Sequence, residues 1–130
     1  DNHESITVNK LSSIQIGNYG GFTGAKETYT LFSDGNMISH YSLDTVSKYA
    51  SIDIKETKEL FAAYNEMKLM DYSYSKTGNM TYFIEYRHNS NVNLIKWANQ
   101  DSIDSKIFNI YQTLYSKMQG LKFTEAKAKQ

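Results

Sequence analysis

Few residues of this chain have the type and spacing needed for chemistry. The three histidines, His3, His40 and His88, are far apart, and the chain contains no cysteine. Zinc sites combine His, Cys and carboxylate ligands at short spacing, as in His-x-x-x-His. A lone imidazole without a placed acid or nucleophile does not make a catalytic triad. The sequence therefore predicts no metal, no cofactor and no histidine-based active site.

Two pairs of carboxylates have the spacing of candidate acid–base residues. Asp101 lies three positions before Asp104, and Glu56 lies three before Glu59. Such pairs carry out glycoside hydrolysis in some enzymes, but both fall in the first turns of predicted helices, where negative charge complements the helix dipole. Capping explains them, so we predict that the chain is not an enzyme.

The stretch Gly20-Gly21-Phe22-Thr23-Gly24 is the strongest candidate for a binding site. Glycines permit sharp bends and close approach of the backbone to a partner. Two interpretations stay open. In one, the stretch is a connecting loop with Phe22 tucked back as an anchor; in the other, it is an insertion loop whose aromatic and hydroxyl side chains enter a cleft of another protein.

Charge and hydropathy exclude two classes of partner. The 130 residues include 14 basic and 14 acidic side chains, and this balance removes the attraction that dominates nucleic-acid binding. No apolar run approaches the roughly 18 residues of a membrane-spanning helix. The chain begins at Asp1 rather than Met, and we expect an exported protein of the periplasm or cell envelope, with a cytoplasmic location as the alternative.

Alternating residues and turn signals predict the strands. Ser13 to Gly17 alternates as a strand, and Ile6 with Val8 could add another. Asp34-Gly35 predicts a two-residue type I′ hairpin turn. In that register Leu31 faces Ile38, Phe32 faces Met37, and Tyr29 faces His40, which we expect to be a hydrogen-bonded core histidine.

A second hairpin is expected around Asn89-Ser90. Its register places Tyr82 opposite Trp97 and Ile84 opposite Ile95 on the core face, where Trp97 is either a core residue or a platform for stacking a sugar ring. The opposite face mixes the charged residues Glu85, Arg87 and Lys96 with the apolar residues Phe83, Val92 and Leu94. We predict that these three apolar residues form an exposed patch, which would mark an interaction surface for another protein or a dimer contact.

Two apolar stripes at helical spacing predict two helices. The first spans about 54–69 and has Asp53 as its cap. The second spans about 103–119, with Asp101-Ser102 as cap candidates and Gly120 at its end. The resulting order of strands, helix, hairpin and helix predicts an α+β domain, with an antiparallel sheet of about four to six strands and both helices on one face. We expect one domain over 1–122, in which 1–11 is an extension or extra strand, and a polar tail over 123–130. Its core should include Ile84, Trp97, Ile107, Ile110 and Leu114.

The Gly20–Gly24 motif, together with this order of elements over about residues 13–119, resembles the small bacterial proteins related to the protealysin inhibitor emfourin. Members of that family inhibit thermolysin-like metallopeptidases. The resemblance implies a protein-binding module whose partner is such a peptidase, contacted through the Gly20–Gly24 loop. The sequence also resembles uncharacterised exported bacterial proteins, so a cell-envelope domain, of lipoprotein type and with an unknown ligand, is the alternative.

Overall fold

A computed structural model describes residues 11–125 of the protein. It contains six strands and two helices, with a short 3-10 turn at Leu69–Asp71. The strands are β1 (Ser13–Gly20), β2 (Lys26–Phe32), β3 (Asn36–Tyr41), β4 (Lys48–Ser51), β5 (Met80–His88) and β6 (Asn91–Ala98); the helices are α1 (Ile54–Glu66) and α2 (Ser105–Gln119). The predicted extra strand at Ile6 and Val8 lies outside the described residues.

The strands form a single antiparallel sheet in the order β4-β3-β2-β1-β5-β6. Strand β1 lies near the middle of the sheet, because it pairs with β2 on one side and with β5 on the other. Helix α1 connects the first four strands to the β5–β6 hairpin, and α2 follows that hairpin. The predicted α+β class and element order are confirmed.

Both helices pack on one face of this sheet and share one hydrophobic core with it. Alternate residues of the strands point into this core; in the centre, Ile16 pairs with Ile84 and Ile14 pairs with Tyr86. Helix α1 contributes Phe61 and Tyr64. The five predicted core residues all belong to it: Ile84, Trp97, Ile107, Ile110 and Leu114.

Helix α1 begins where the sequence predicts and ends earlier. The Asp53 carboxylate accepts hydrogen bonds from the backbone N–H groups of Lys55 and Glu56, at 3.0 and 3.2 Å. The last helical residue is Glu66. Lys68 has a φ of 58°, and this left-handed conformation cannot continue a right-handed helix.

Helix α2 begins two residues later than predicted. Its cap is Asp104, whose Oδ1 accepts a hydrogen bond from the backbone N–H of Lys106 at 2.8 Å. Asp101, which we expected to cap the helix, instead accepts from the backbone N–H of Ala98 at 2.9 Å and closes the turn after β6. The predicted end before Gly120 is confirmed.

The predicted register of the first hairpin is wrong by one residue. Leu31 pairs with Met37 and Thr28 pairs with His40, so the loop contains three residues, 33–35. Only Gly35 among them has a positive φ, of 94°; this is the pattern of a type I turn followed by a glycine bulge. His40 consequently lies exposed on the face opposite Tyr29 and is not a core residue.

The predicted second hairpin is confirmed. Asn89 and Ser90 both have positive φ, 49° and 73°, as a type I′ turn requires. Tyr82 pairs with Trp97, and Phe83 pairs with Lys96 on the other face. The face of the sheet that carries Phe83 and Lys96 lies opposite both helices, and we call it the open face.

The folded domain extends beyond the predicted boundary at residue 122. The ring of Phe123 packs 5.8 Å from that of Tyr29. Thr124 pairs with Tyr49 through two backbone hydrogen bonds of 2.6 and 2.9 Å. Residues 123 and 124 thus belong to the core and the sheet edge, whereas residues 126–130 of the expected tail lie outside the described part.

Candidate functional site

The predicted Gly20–Gly24 loop lies at one end of the sheet, next to a second loop. Because the strands alternate in direction, the β1–β2 connection and the β3–β4 connection, residues 42–47, emerge at the same end. We call this the loop end. Two hydrogen bonds join Ser42, in the second loop, to Lys26, where the first loop ends. The Ser42 N–H donates to the Lys26 carbonyl at 2.8 Å, and the Lys26 N–H donates to the Ser42 hydroxyl at 2.8 Å.

Glycines at the base of the first loop allow it to lie close to the segment before β5. Gly20 and Gly21 have φ values of 115° and 74°. A Cβ atom on Gly20 would lie 2.1 Å from the carbonyl oxygen of Asn79, so only glycine fits. The N–H of Gly21 donates to that same oxygen at 2.8 Å. The loop therefore leaves the sheet from a fixed base.

Phe22 projects fully into solvent from this base. Its relative exposure is 110%, so the side chain makes no anchoring contact with the domain. The interpretation with Phe22 tucked back is wrong. Thr23 stays local, since its hydroxyl accepts a hydrogen bond from the N–H of Ala25 at 3.1 Å. The exposed ring contributes no burial free energy to folding and remains available for a partner to cover.

The neighbouring loop adds apolar residues that sequence reasoning missed. Leu43 is 64% exposed and Val46 is 44% exposed. Both lie in the otherwise polar stretch Ser-Leu-Asp-Thr-Val-Ser over 42–47. Two branched apolar residues in a polar connection were a usable signal only in combination with the adjacent Phe22 loop, because contiguous exposed apolar patches mark interaction sites and single exposed residues do not. Together with Phe22 they form an apolar loop end.

The predicted exposed surface on the open face is only partly exposed. Val92 and Leu94 are 47% and 40% exposed, as expected, but Phe83 is buried. Its ring lies across Gly17, where an added Cβ would come within 2.7 Å of the ring carbons. Tyr19 covers it from the side, with ring centroids 6.2 Å apart. The missing side chain at Gly17 thus makes room for Phe83 against the sheet.

A pocket of about 290 Å³ connects the open face to the Gly20–Gly24 loop. Residues of four strands and the end of the loop line it: Gln15, Tyr19, Gly24, Lys26, Phe83, Glu85, Leu94 and Lys96. The structure therefore brings together the two predicted contact regions, the loop and the mixed face, which are far apart in sequence.

Trp97 is a core residue and not a platform for a ligand. It is 3% exposed. The Tyr82 ring stacks on it at 6.1 Å, and the Tyr111 ring meets it edge-on at 5.5 Å. The domain itself thus covers the surfaces of the indole that a sugar ring would need.

Five tyrosines between the helices and the sheet have raised pKa values. Burial is the main cause for each of them, and the negative charge of Glu27 adds to the rise in pKa for Tyr29, Tyr111 and Tyr115. The Glu27 carboxylate accepts hydrogen bonds from the hydroxyls of Tyr29 and Tyr115 at 3.1 and 3.2 Å. All five phenols keep their protons at neutral pH. The hydrogen bonds of Tyr115 to Glu27 and of Gln119 to the Tyr29 hydroxyl attach α2 to β2, which is a structural role.

Among the residues that the structure describes, the remaining titratable groups do not converge on a site. Ser12 and His88 form a pair, with Oγ and Nδ1 2.7 Å apart, but the other ring nitrogen faces the Asn89 amide and not a carboxylate. Within 11–125, no three metal-ligand side chains come together. In the same range, no helix combines the length and hydropathy needed to cross a membrane.

Comparison with known proteins adds no family assignment. No protein-family model matches the chain, and no curated protein matches it in a sequence search.

Proposed function

We propose that this chain is a non-enzymatic protein-binding module that inserts its loop end into a cleft of its partner. The observation that carries this proposal is the complete exposure of Phe22. Aromatic residues are enriched among the side chains that dominate binding energy, and they act by entering apolar pockets. Leu43 and Val46 in the adjacent loop would pack around the mouth of that pocket.

The fixed base of the loop supports an insertion role. Gly20 pairs with Met80 at the end of the β1–β5 ladder, and Gly21 is bonded to Asn79. On the other side, Lys26 pairs with Tyr19. A loop held at both ends loses less conformational freedom on binding than a free one, and this improves affinity.

We propose further that the partner is a thermolysin-like metallopeptidase and that binding inhibits it. This step rests on the resemblance of the Gly20–Gly24 motif and of the element order to the emfourin-related inhibitors. The geometry fits such a role, because a narrow aromatic tip flanked by a second apolar loop is the shape that a substrate cleft accepts. An inhibitor needs no chemistry of its own.

Titration against a thermolysin-like peptidase of the same organism tests the proposal. Truncation of an anchor of this kind typically costs 2 kcal/mol or more, so Phe22→Ala should raise the inhibition constant at least about 30-fold. Leu43→Ala should raise it about five-fold, corresponding to about 1 kcal/mol. Thermal stability should stay unchanged, since Phe22 contacts nothing in the domain.

The matched control is Ile54→Ala, at the first position of α1. Ile54 is 46% exposed and lies at the opposite end of the sheet, so its truncation should leave inhibition unchanged. Failure of the folded wild-type protein to inhibit at micromolar concentration would reject the peptidase as partner. Equal losses for Phe22→Ala and Ile54→Ala would reject the loop end as the contact.

A further inference from the structure

The pocket on the open face has a size and a floor suited to side chains of a larger partner. Its volume of about 290 Å³ lies at the lower limit of small-molecule sites, which span roughly 300–1,000 Å³. The rings of Tyr19 and Phe83 form the floor, and Leu94 forms part of the wall. There is room for one or two side chains.

Two lysines of the open face, one on β2 and one on β6, extend over this aromatic floor from the strands that flank β1 and β5. Lys26 Nζ lies 5.1 Å from the centroid of Phe83 and 5.8 Å from that of Tyr19. Lys96 Nζ lies 6.0 Å from the Tyr19 centroid. Within the described residues, neither lysine forms an ion pair; the ion pairs there join Arg87 to Glu85 and Lys117 to Glu56. Both ammonium groups therefore have charge available for a ligand.

The open face as a whole carries excess positive charge, although the protein is neutral. Its strand residues within 11–125 include three cations, Lys26, Lys96 and Arg87, and one carboxylate, Glu85. Glu85 lines the same pocket, but its carboxylate is ion-paired with Arg87 at 3.6 Å, so the two lysines leave the pocket with a net positive charge. Charge complementarity then favours a negatively charged segment in this pocket.

We propose that the pocket binds an aspartate or glutamate side chain of the partner protein, on an extended segment that also places an apolar side chain against Tyr19 and Leu94. This proposal rests on the proposed protein-binding function and deepens it, since it assigns an acidic segment to the partner next to the cleft entered by Phe22. The carboxylate would lie between the two lysines, which act as point charges.

Nucleic acid fits this surface less well than an acidic peptide. The floor offers little aromatic surface for bases to stack on, because Phe83 is only 4% exposed and the ammonium groups of Lys26 and Lys96 lie over the Tyr19 ring. Single-strand binding depends on such stacking and on a run of phosphate contacts. Two free lysines on a neutral protein supply few of these contacts.

Binding of a defined peptide, followed by amide chemical shifts of the full chain, tests the proposal. The probe is a blocked tetrapeptide of alternating glutamate and leucine, and the comparison ligands are its lysine–leucine counterpart and a thymidine octanucleotide. The acidic peptide should shift the amides of Lys26, Phe83 and Lys96 saturably, with a Kd of about 1 mM, as expected for a short linear ligand. Salt should weaken this binding.

Variants at the two lysines separate charge from general surface effects. The double change Lys26→Gln with Lys96→Gln should weaken binding at least about ten-fold, while Lys26→Arg, which keeps the charge, should retain it. The control Lys58→Gln alters an exposed lysine of α1 and should have no effect.

Three outcomes would overturn the proposal: the open-face amides do not respond to the acidic peptide, the basic peptide binds equally well, or the double variant binds like the wild type. A stronger response to the octanucleotide would instead identify a nucleic-acid surface. The assay uses no peptidase. Absence of inhibition and absence of peptide binding are therefore separate results, and either proposal can fail alone.

Discussion

Replacing Gly20 with alanine tests whether the base of the Phe22 loop is as constrained as the structure indicates. The new Cβ would lie 2.1 Å from the Asn79 carbonyl oxygen, at a φ of 115°. A side chain held in such a backbone conformation costs roughly 1–3 kcal/mol. To relieve the clash, the strand end must also move away from Asn79 and lose the bond from Gly21 N–H, at about 1 kcal/mol. The expected destabilisation is about 3 kcal/mol.

Gly24→Ala is the matched control for this change. Gly24 also has a positive φ, of 67°, but no atom lies within 4 Å of the position that a Cβ would occupy there. Alanine at this site meets only the left-handed backbone penalty of about 1 kcal/mol. Urea denaturation should therefore show a difference of about 2 kcal/mol between the two variants, and amide exchange at Gly21 should accelerate only in Gly20→Ala. Equal stabilities of the two variants would show that the contact with Asn79 does not constrain the loop.

Two further predictions concern the hydrophobic core. Leu114→Ala removes a side chain that is 1% exposed, so it should lower the free energy of unfolding by about 2–5 kcal/mol in urea denaturation. The control is Thr113→Ala at the exposed neighbour, for which we expect a loss below about 0.5 kcal/mol. An equally small loss for Leu114→Ala would place Leu114 outside the core. Burial raises the pKa of Tyr64 and Tyr111. Titration of these tyrosines therefore leaves the free energy of unfolding unchanged below the unfolded-state pKa of about 10. Above that pH the free energy of unfolding falls, by about 1.4 kcal/mol per pH unit for each such tyrosine. Tyr64→Phe should make the decline between pH 10 and 11 shallower by about that amount, and an unchanged slope would contradict the assignment.

Local patterns predicted most of the fold because several of them pointed to the same arrangement. The second hairpin is the clearest example: the type I′ turn at Asn89-Ser90 and the facing pair Ile84 and Ile95 both require the register that the structure shows. The helix beginning after Asp53 was also predictable, since the cap and the apolar stripe start together.

The first hairpin shows where local turn chemistry was insufficient. Asp34-Gly35 suits a two-residue turn and also a three-residue loop, because both place Gly35 in a left-handed conformation. The Asp34 carboxylate accepts from the N–H of Asn36 at 3.0 Å, which stabilises the longer loop. Only that register puts Leu31 and Met37 together in the core. The burial pattern of the strand residues, and not the turn sequence, therefore determines the register of this hairpin.

The candidate site was predictable in part. The glycines marked the loop, but nothing in the sequence showed whether Phe22 turns inward or outward, since this depends on the fixed position of Asn79 some 60 residues away. The burial of Phe83 likewise depends on Gly17 lying beside it in a neighbouring strand. Such long-range contacts leave no local signature, and the pocket between Lys26 and Lys96 arises from them.

The position of β1 has a consequence for the synthesis of this protein. Its edge toward β5 stays unpaired until β5 has been made, and about 60 residues separate the paired ends Gly20 and Met80. At a translation rate of roughly 5–20 residues per second, this interval lasts about 3–12 s. During it, β1, and after the synthesis of Ser51 the complete β1–β4 unit, presents an open edge that other chains can pair with. We expect the yield of folded protein to depend on how fast the ribosome translates residues 52–88. Measurements of the stability of the finished domain would not detect this dependence.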